Sequence, residues 1–537
     1  MIPHLPIPTL QETKERYIKW CLPLVENKAR LVNDANNFFD KDALELQKQL
    51  EAFCDAQNKA GKSYLIDFWR NGYWSINAPT TLSTNVSARL NLPISGNFRL
   101  DLARFIAAHA KLCSKYKKGE LANFKDAKGA DLSLDQAKIL LGACRILQDG
   151  IDIYHFANDA RQIALIFAKK ISDLDYETPL VARFDVLDRN FEALNFDDIY
   201  ANVCAFLDAH IKNAGGENVF LPAFAGENIA FFNDTLFNIT ITKDALSYED
   251  VTFGLLFDPR KALSYIAQIS DDVHFYQNIE HSYQDAGILV DFLREIKGHV
   301  ESSFQNLKGA MGGDVRGSEI EFLDFNFRSD LADFRGDYLA KAREFKLSLC
   351  QFQAKAELNK DAYFQFIMQY AQKQAFGSVR SIYEAVDMRH FKCGRTECIR
   401  SVSEESLKLI SSSNINKANL EAAMLEHKAR IKACKNAKGV MRHLSGLRMM
   451  KDNAFFKSEG YLALSSDFLS TTTLGDNGVL FDIGFVPSIE GGFGINYYYN
   501  NGHMCFLISY KKSQKQDFLK FKDALERGIR EFEALLG

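Results

Sequence analysis

The sequence predicts a mixed α/β protein, built in layers of the α/β or α+β kind and divided into more than one domain. Three observations carry this expectation. The chain has 537 residues, too many for one ordinary core, so two domains are expected. Stretches with strand period recur among stretches with helical period, most clearly in the C-terminal third. Hydrophobic residues make up 47% and charged residues 25%, a balance that favours a soluble globular chain over a disordered one.

Near the N-terminus, Pro3, Pro6 and Pro8 precede Thr9-Leu10-Gln11-Glu12. This reads as a capping box, in which the Thr9 hydroxyl accepts from the Glu12 amide and the Glu12 carboxylate reaches back. The helix that follows is expected to break near Pro23. Residues 80–97 lose periodicity, and Asn85 and Pro93 mark a crossing loop. Helical period returns over 100–113 and 134–147. Val273 to Ile279 reads as a half-buried strand that ends at Glu280-His281-Ser282, with a helix entry at Gly287-Ile288-Leu289-Val290. Gly309, Gly312, Gly313 and Gly317 cluster as a loop and domain junction. Residues 361–376 are predicted helical and 479–486 a strand. Residues 494–499 pair with 504–510 across Asn500-Asn501-Gly502, which has hairpin turn chemistry. Residues 516–536 form an amphipathic helix, and no internal repeat is evident.

The formal net charge of −4, with both signs interspersed, gives no basic surplus that would favour nucleic acid. No apolar run is long enough to span a membrane, and the first residues lack the pattern of a signal peptide. Ten irregularly spaced cysteines suit reduced thiols and a cytoplasmic setting better than a disulfide framework. Cys393, Cys398 and His390 lie close in sequence but lack a fourth ligand, so no metal is expected.

His281 is the residue that draws attention chemically. A lone histidine at a strand end is ordinarily structural, but here an aspartate, Asp285, follows at the fourth position with Gly287 just beyond. Imidazole is the side chain best suited to moving a proton near neutral pH. A carboxylate four residues on can orient the ring, or it can serve a purely structural ion pair; Glu280 reads as structural.

Several separated segments together resemble the carnitine/choline acyltransferase family. Leu5-Pro6-Ile7-Pro8-Thr9-Leu10 is similar to its proline-rich start, and Glu280-His281-Ser282 to its catalytic-histidine motif. Tyr383-Glu384 and Gly394-Arg395-Thr396-Glu397-Cys398-Ile399-Arg400 resemble its most specific block. Arg442-His443-Leu444, Gly446-Leu447 and Ser470-Thr471-Thr472 follow in family order. The motifs lie in residues 1–90 and from 270 onward; residues 110–262 carry none, and Phe167 to Ser172 stand where relatives have Phe-Gly-Thr-Thr-Arg-Ile-Pro.

The resemblance implies a coenzyme A-dependent acyltransferase fold of two α/β domains with related topology and an active-site tunnel between them. One domain would hold residues 85–324 and the other would join 1–84 to 325–537. It implies reversible transfer of an acyl group between coenzyme A and the carnitine hydroxyl, with His281 as general base, Asp285 as its orienting residue and Thr472 as oxyanion donor. Tyr383, Thr396, Arg442 and Ser470 would bind carnitine, with Arg442 on its carboxylate; Lys355, Asp361 and Glu384 would bind coenzyme A. Phe481 would sit in the acyl pocket and favour short or medium chains. No bound cofactor is implied beyond acyl-CoA as co-substrate, and a monomer is expected. The alternatives are an acyltransferase for another small alcohol such as choline, or a non-catalytic relative. The chain departs from the family at the coenzyme A 3′-phosphate, where Cys350 and Ala354 replace the expected lysines and Lys360 replaces a proline.

Overall fold

A computed structural model describes residues 2–212, 232–269, 273–306, 319–323, 332–411 and 415–536. In chain order the strands are β1 (Asn85–Leu90), β2 (Ala143–Ile146), β3 (Ile153–Phe156), β4 (Gln162–Ser172), β5 (Asp175–Asp185), β6 (Thr235–Thr242), β7 (Ser264–Ile269) and β8 (Val273–Glu280). Then follow β9 (Glu321–Leu323), β10 (Phe345–Gln353), β11 (Ile382–Asp387), β12 (Thr396–Arg400), β13 (Leu469–Thr472), β14 (Leu480–Gly484), β15 (Phe493–Asn500) and β16 (His503–Lys511).

Two large mixed sheets organise the chain. The first has eight strands in the order β14-β1-β8-β7-β6-β4-β5-β9; the second has six, β10-β16-β15-β13-β11-β12. Each has its own core. Helices Phe98–Lys117, Phe196–Lys212 and Ala286–Asn306 bury their apolar residues with the first sheet. Helices Asp361–Phe376 and Lys515–Leu536 do so with the second. A third cluster packs Leu5, Tyr17, Trp20 and Leu50 against Ile399, Leu444 and Leu464, seating the N-terminal helices beside β12. The first sheet also takes a strand from the far end of the chain, since β14 pairs antiparallel with β1.

Local chemistry explains most element boundaries. Thr9 and Glu12 form both bonds of the capping box, and the helix Leu10–Cys21 gives way to a 3₁₀ turn at Pro23. Asn501 and Gly502, with φ of 46° and 78°, make the two-residue turn that joins β15 to β16. Two expectations are corrected. The stretch 80–97 contains β1, a central strand hydrogen-bonded to β8 along its whole length. Polar residues of this strand find partners inside the protein: Asn85 Nδ2 donates to Asn278 Oδ1 (2.7 Å), and Ser87 Oγ lies 2.6 Å from Thr252 Oγ1. A strand covered on both faces shows no alternation. Residues 134–147 form a 3₁₀ helix, Asp135–Leu141, and then β2. Gly142 makes this change of direction at φ +87°, where an added Cβ would run into the Thr235 carbonyl. The glycines at 309, 312, 313 and 317 lie outside the described residues.

Candidate active site

The candidate site forms where the end of β8 meets the start of β12 and the helix Ile66–Trp74. His281 is the first residue after β8, a strand held between β1 and β7 in the sheet. Its ring Nδ1–H donates to the Gln284 carbonyl, which leaves Nε2 as the basic nitrogen. About a quarter of the side chain is open, at 27% exposure. Burial pulls its pKa below the ordinary histidine value against the pull of Asp285, so the ring is neutral and ready to accept a proton.

Asp285 does more than face this imidazole. Its Oδ1 lies 3.9 Å from His281 Nε2, but both carboxylate oxygens accept from Arg395, at 2.9 Å from Nε and 3.0 Å from Nη2. Gln136 adds a donor at 2.8 Å. Burial raises the Asp285 pKa, yet Arg395 outweighs it, with His281 and Gln136 assisting, and the group is held below the usual carboxylate range. The guanidinium also donates to the carbonyls of His281 (3.0 Å), Gln284 (3.3 Å) and Ser282. Arg395 therefore grips the whole turn that presents the histidine. Gly394 allows this, because a Cβ there would collide with the Met388 carbonyl.

Arg442 lies in the first turn of helix Met441–Met450. Its Nε donates to the Thr396 carbonyl (2.7 Å), Nη2 to the Thr396 hydroxyl (3.4 Å), and its guanidinium stacks 3.7 Å from the Trp69 ring centre. Trp69 and Tyr73 are four residues apart on one helical face. Arg395 lies 5.3 Å from the first ring and 5.9 Å from the second, and Tyr73 lies 6.4 Å from the His281 ring. Two aromatic rings thus connect the imidazole to the Arg442 guanidinium. Tyr383 belongs to the same group: burial raises its pKa, while Arg442 and Thr396 act in the opposite direction.

Trp69, Arg395, Thr396 and Arg442 line a cavity of about 20 Å³, room for roughly one water. His281 is not among the residues lining it.

Ser470 and Thr472 share one face of β13, with Ser470 in register with Tyr383. Neither hydroxyl has a hydrogen-bond partner among the described residues. Thr471 points the other way, donates to the Tyr383 carbonyl (2.7 Å) and accepts from Gln365 (3.1 Å).

Asp361 and Glu384 come together around His427, a residue sequence reasoning missed. His427 Nε2 donates to Glu384 (3.1 Å) and lies 3.9 Å from Asp361. The Tyr497 hydroxyl donates to Asp361 at 2.5 Å. Burial, with Asp361 beside it, lifts Glu384 to about 8. Two carboxylates and an imidazole within 4.8 Å could hold a cation; Glu384 is hydrogen-bonded to His427 and Asp361 to Tyr497. Lys355 is elsewhere, its amide donating to Glu533 (2.7 Å). Phe481 packs edge-to-face against Tyr498 at 5.7 Å. Cys393, Cys398 and His390 each have separate partners, the carbonyls of Gly61, Ile399 and Lys435.

A second missed residue is Arg145, wholly buried on β2. It bonds Asp152 (2.7 Å), Glu280 (3.2 Å) and the Tyr73 carbonyl (2.9 Å), so it fastens the end of β8 to the Trp69–Tyr73 helix. Ser282 adds a second fastening, donating to Glu280 (2.6 Å) and accepting from Trp74 (2.9 Å). Phe167 to Ser172, expected to replace the Phe-Gly-Thr-Thr-Arg-Ile-Pro segment, lie in β4, three strands away from β8. Leu141 to Leu147 match that segment instead, with Gly142, Arg145 and Ile146 at its glycine, arginine and isoleucine.

Known proteins similar to this chain include several acyltransferases. The chain is 22% identical to human mitochondrial carnitine O-palmitoyltransferase 2 over 100% of its own length and 92% of the relative's. It is 20% identical to mouse peroxisomal carnitine O-octanoyltransferase, covering 93% and 90%. To human carnitine O-acetyltransferase it is 27% identical over 34% of this chain and 32% of that one. Among solved structures, the starter condensation domain of rhizomide synthetase aligns at 10% identity over 87% and 94% of the two chains, with a TM-score of 0.35. No helix among the described residues is long and apolar enough to cross a membrane. The family model described as choline/carnitine O-acyltransferase matches residues 5–202 and 260–527, reaching well beyond the recognisable motifs into the first sheet. The chain belongs to the choline/carnitine O-acyltransferase family.

Proposed function

We propose that the protein transfers an acyl group reversibly between coenzyme A and the hydroxyl of carnitine. The observation that carries this reading is the Arg442 guanidinium, set beside Thr396 and Tyr383 and joined to His281 through Trp69 and Tyr73. Carnitine is a small zwitterion with an alcohol and a carboxylate, and the two ends need different partners. A guanidinium suits the carboxylate, by charge-assisted and bidentate hydrogen bonds. Choline has no carboxylate and would leave Arg442 without its partner.

In this mechanism His281 Nε2 takes the proton of the carnitine hydroxyl as its oxygen attacks the thioester carbonyl. The tetrahedral intermediate carries an oxyanion, toward which the free hydroxyl of Thr472 donates, with Ser470 on the same strand face. Collapse breaks the C–S bond, and His281 returns the proton to the departing sulfur. The imidazole serves both substrates in one ternary complex, and no acyl-enzyme forms. Asp285 and Arg395 hold the turn and the ring; Asp361 and Glu384 face coenzyme A. Short or medium acyl chains are part of this reading and rest on Phe481.

Arg442→Ala tests the acceptor assignment. Loss of a charge-assisted contact made in both ground and transition states raises the carnitine KM by roughly 10-fold or more. The acyl-CoA KM stays near the parent value. An unchanged carnitine KM would remove Arg442 from the acceptor site.

A further inference from the structure

The Arg442 end of the site holds a carboxyl group that the mechanism does not use. Glu397 follows Thr396 on β12, is 2% exposed, and lines the same small cavity as Arg442. Its Oε1 accepts from the backbone amides of Cys398 (2.8 Å) and Arg442 (3.3 Å). Oε2 has no hydrogen-bond donor among the described residues, and it rests against Gly439, where an added Cβ would collide with it. Burial raises the Glu397 pKa to about 7, against the pull of Arg442, the two amides and Arg400. Tyr64, Cys398 and Cys434 also feel its charge, and burial moves each of them away from ionisation. Lys438, beside Gly439, is turned to Glu12 (2.6 Å). Burial also takes two other groups of the lining out of the neutral range, lifting Cys393 to about 11 and lowering His443 to about 3. Glu397 is thus the lining group poised to titrate near neutral pH.

A carboxylate placed on Arg442 is a second anion beside one guanidinium. Two carboxylates that share a buried cation do not both stay ionised cheaply. A free carboxyl group titrates near about 4, so the proton goes to Glu397, which burial has already brought far above that value. We infer that Glu397 takes up a proton when carnitine binds at Arg442, and thereby makes acceptor affinity depend on pH. This rests on the reading of Arg442 as the carboxylate-binding residue. The direction follows from linkage: a group that gains proton affinity on binding favours the complex below its free pKa, and the advantage fades as pH rises through it. For a gain of about tenfold, carnitine affinity falls about 5-fold between pH 6.5 and 8.5, and about half a proton enters at pH 7.5. His281 adds no such dependence, because burial keeps its ring neutral over this range.

Titration calorimetry on the full chain counts the protons directly. Carnitine is titrated at pH 7.5 in phosphate and in Tris, whose ionisation enthalpies differ widely, and then across pH 6.5–8.5. A second probe, γ-butyrobetaine, keeps the carboxylate and the ammonium but lacks the hydroxyl that faces His281. Both ligands are expected to bring in about half a proton at pH 7.5 and to bind about 5-fold more weakly at pH 8.5 than at 6.5. Glu397→Gln, which fixes the neutral form, should bind carnitine with no proton exchange and with an affinity that is flat over this range. It should also bind more tightly than the parent protein at pH 8.5. Carnitine binding without proton uptake in the parent protein sinks only the Glu397 assignment, and this result does not depend on whether the variant folds. Uptake that persists in Glu397→Gln, or that occurs with carnitine but not with γ-butyrobetaine, assigns the proton elsewhere and overturns the inference. No binding of carnitine at any pH removes the acceptor reading, and the inference with it.

Discussion

His281→Ala should lower kcat by about 10²–10⁴, the usual contribution of a positioned general base. The side chain lies at the end of a central strand and is 27% exposed, so its removal leaves no closed cavity in the core. The melting temperature is expected to stay within a few degrees of the parent value. The pH profile gives a second readout. Because burial holds the His281 pKa below the ordinary value of about 6.5, the ring remains a free base into mildly acidic solution. The acid limb of kcat/KM should therefore fall below about pH 6.5 and disappear in the alanine variant. A variant that transfers acyl groups at the parent rate would eliminate the base.

The second large effect belongs to Arg395. Arg395→Met strips the charge partner from a buried Asp285 and frees three carbonyls of the His281 turn. Removing one partner of a buried pair typically costs about 3–5 kcal/mol, and kcat should fall with it because the turn is no longer held. The pH dependence has a definite sign. In the parent protein the Asp285 pKa is depressed, so its pairing stabilises the fold above about pH 4 and is lost as pH falls through the lowered value. Without Arg395, burial drives that pKa up. The variant then loses stability as pH rises from about 4, and its deficit relative to the parent is greatest near neutrality. Arg395→Met/Asp285→Asn should recover much of the stability but not the rate, as coupled neighbours do. If denaturant melts at pH 7 gave the double variant a deficit equal to the sum of the Arg395→Met and Asp285→Asn deficits, the two residues would not be coupled.

Much of the C-terminal half and the histidine strand is readable from sequence because the signals there are local. The capping box at Thr9 and Glu12, the helix Asp361–Phe376 and the Asn501-Gly502 turn likewise follow from a few adjacent residues. β1 is hidden because it lies between β14 and β8, and its polar side chains find partners distant in sequence. The same limit applies to the site. His281, Arg442, Thr396 and Asp285 are accessible through motifs, but the Arg395 clamp joins residues 110 apart and so carries no local pattern. Trp69 and Tyr73 do leave a trace, aromatic residues at i and i+4 on a short helix. Arg145 follows Gly142 by three residues, in a stretch whose turn from 3₁₀ helix to strand is set by contact with Thr235, far away in sequence. Its partners Asp152, Glu280 and Tyr73 come from three separate segments, and only the fold assembles them.

The most direct measurement is release of free coenzyme A thiol from acetyl-CoA by the purified protein, with carnitine, choline or no acceptor present. A shared site for an alcohol and a carboxylate predicts rapid release with carnitine, little with choline, and only background release without an acceptor. Equal release with choline, or none above background with carnitine across short and medium acyl-CoAs, would contradict the pairing of His281 and Arg442 on one small zwitterion.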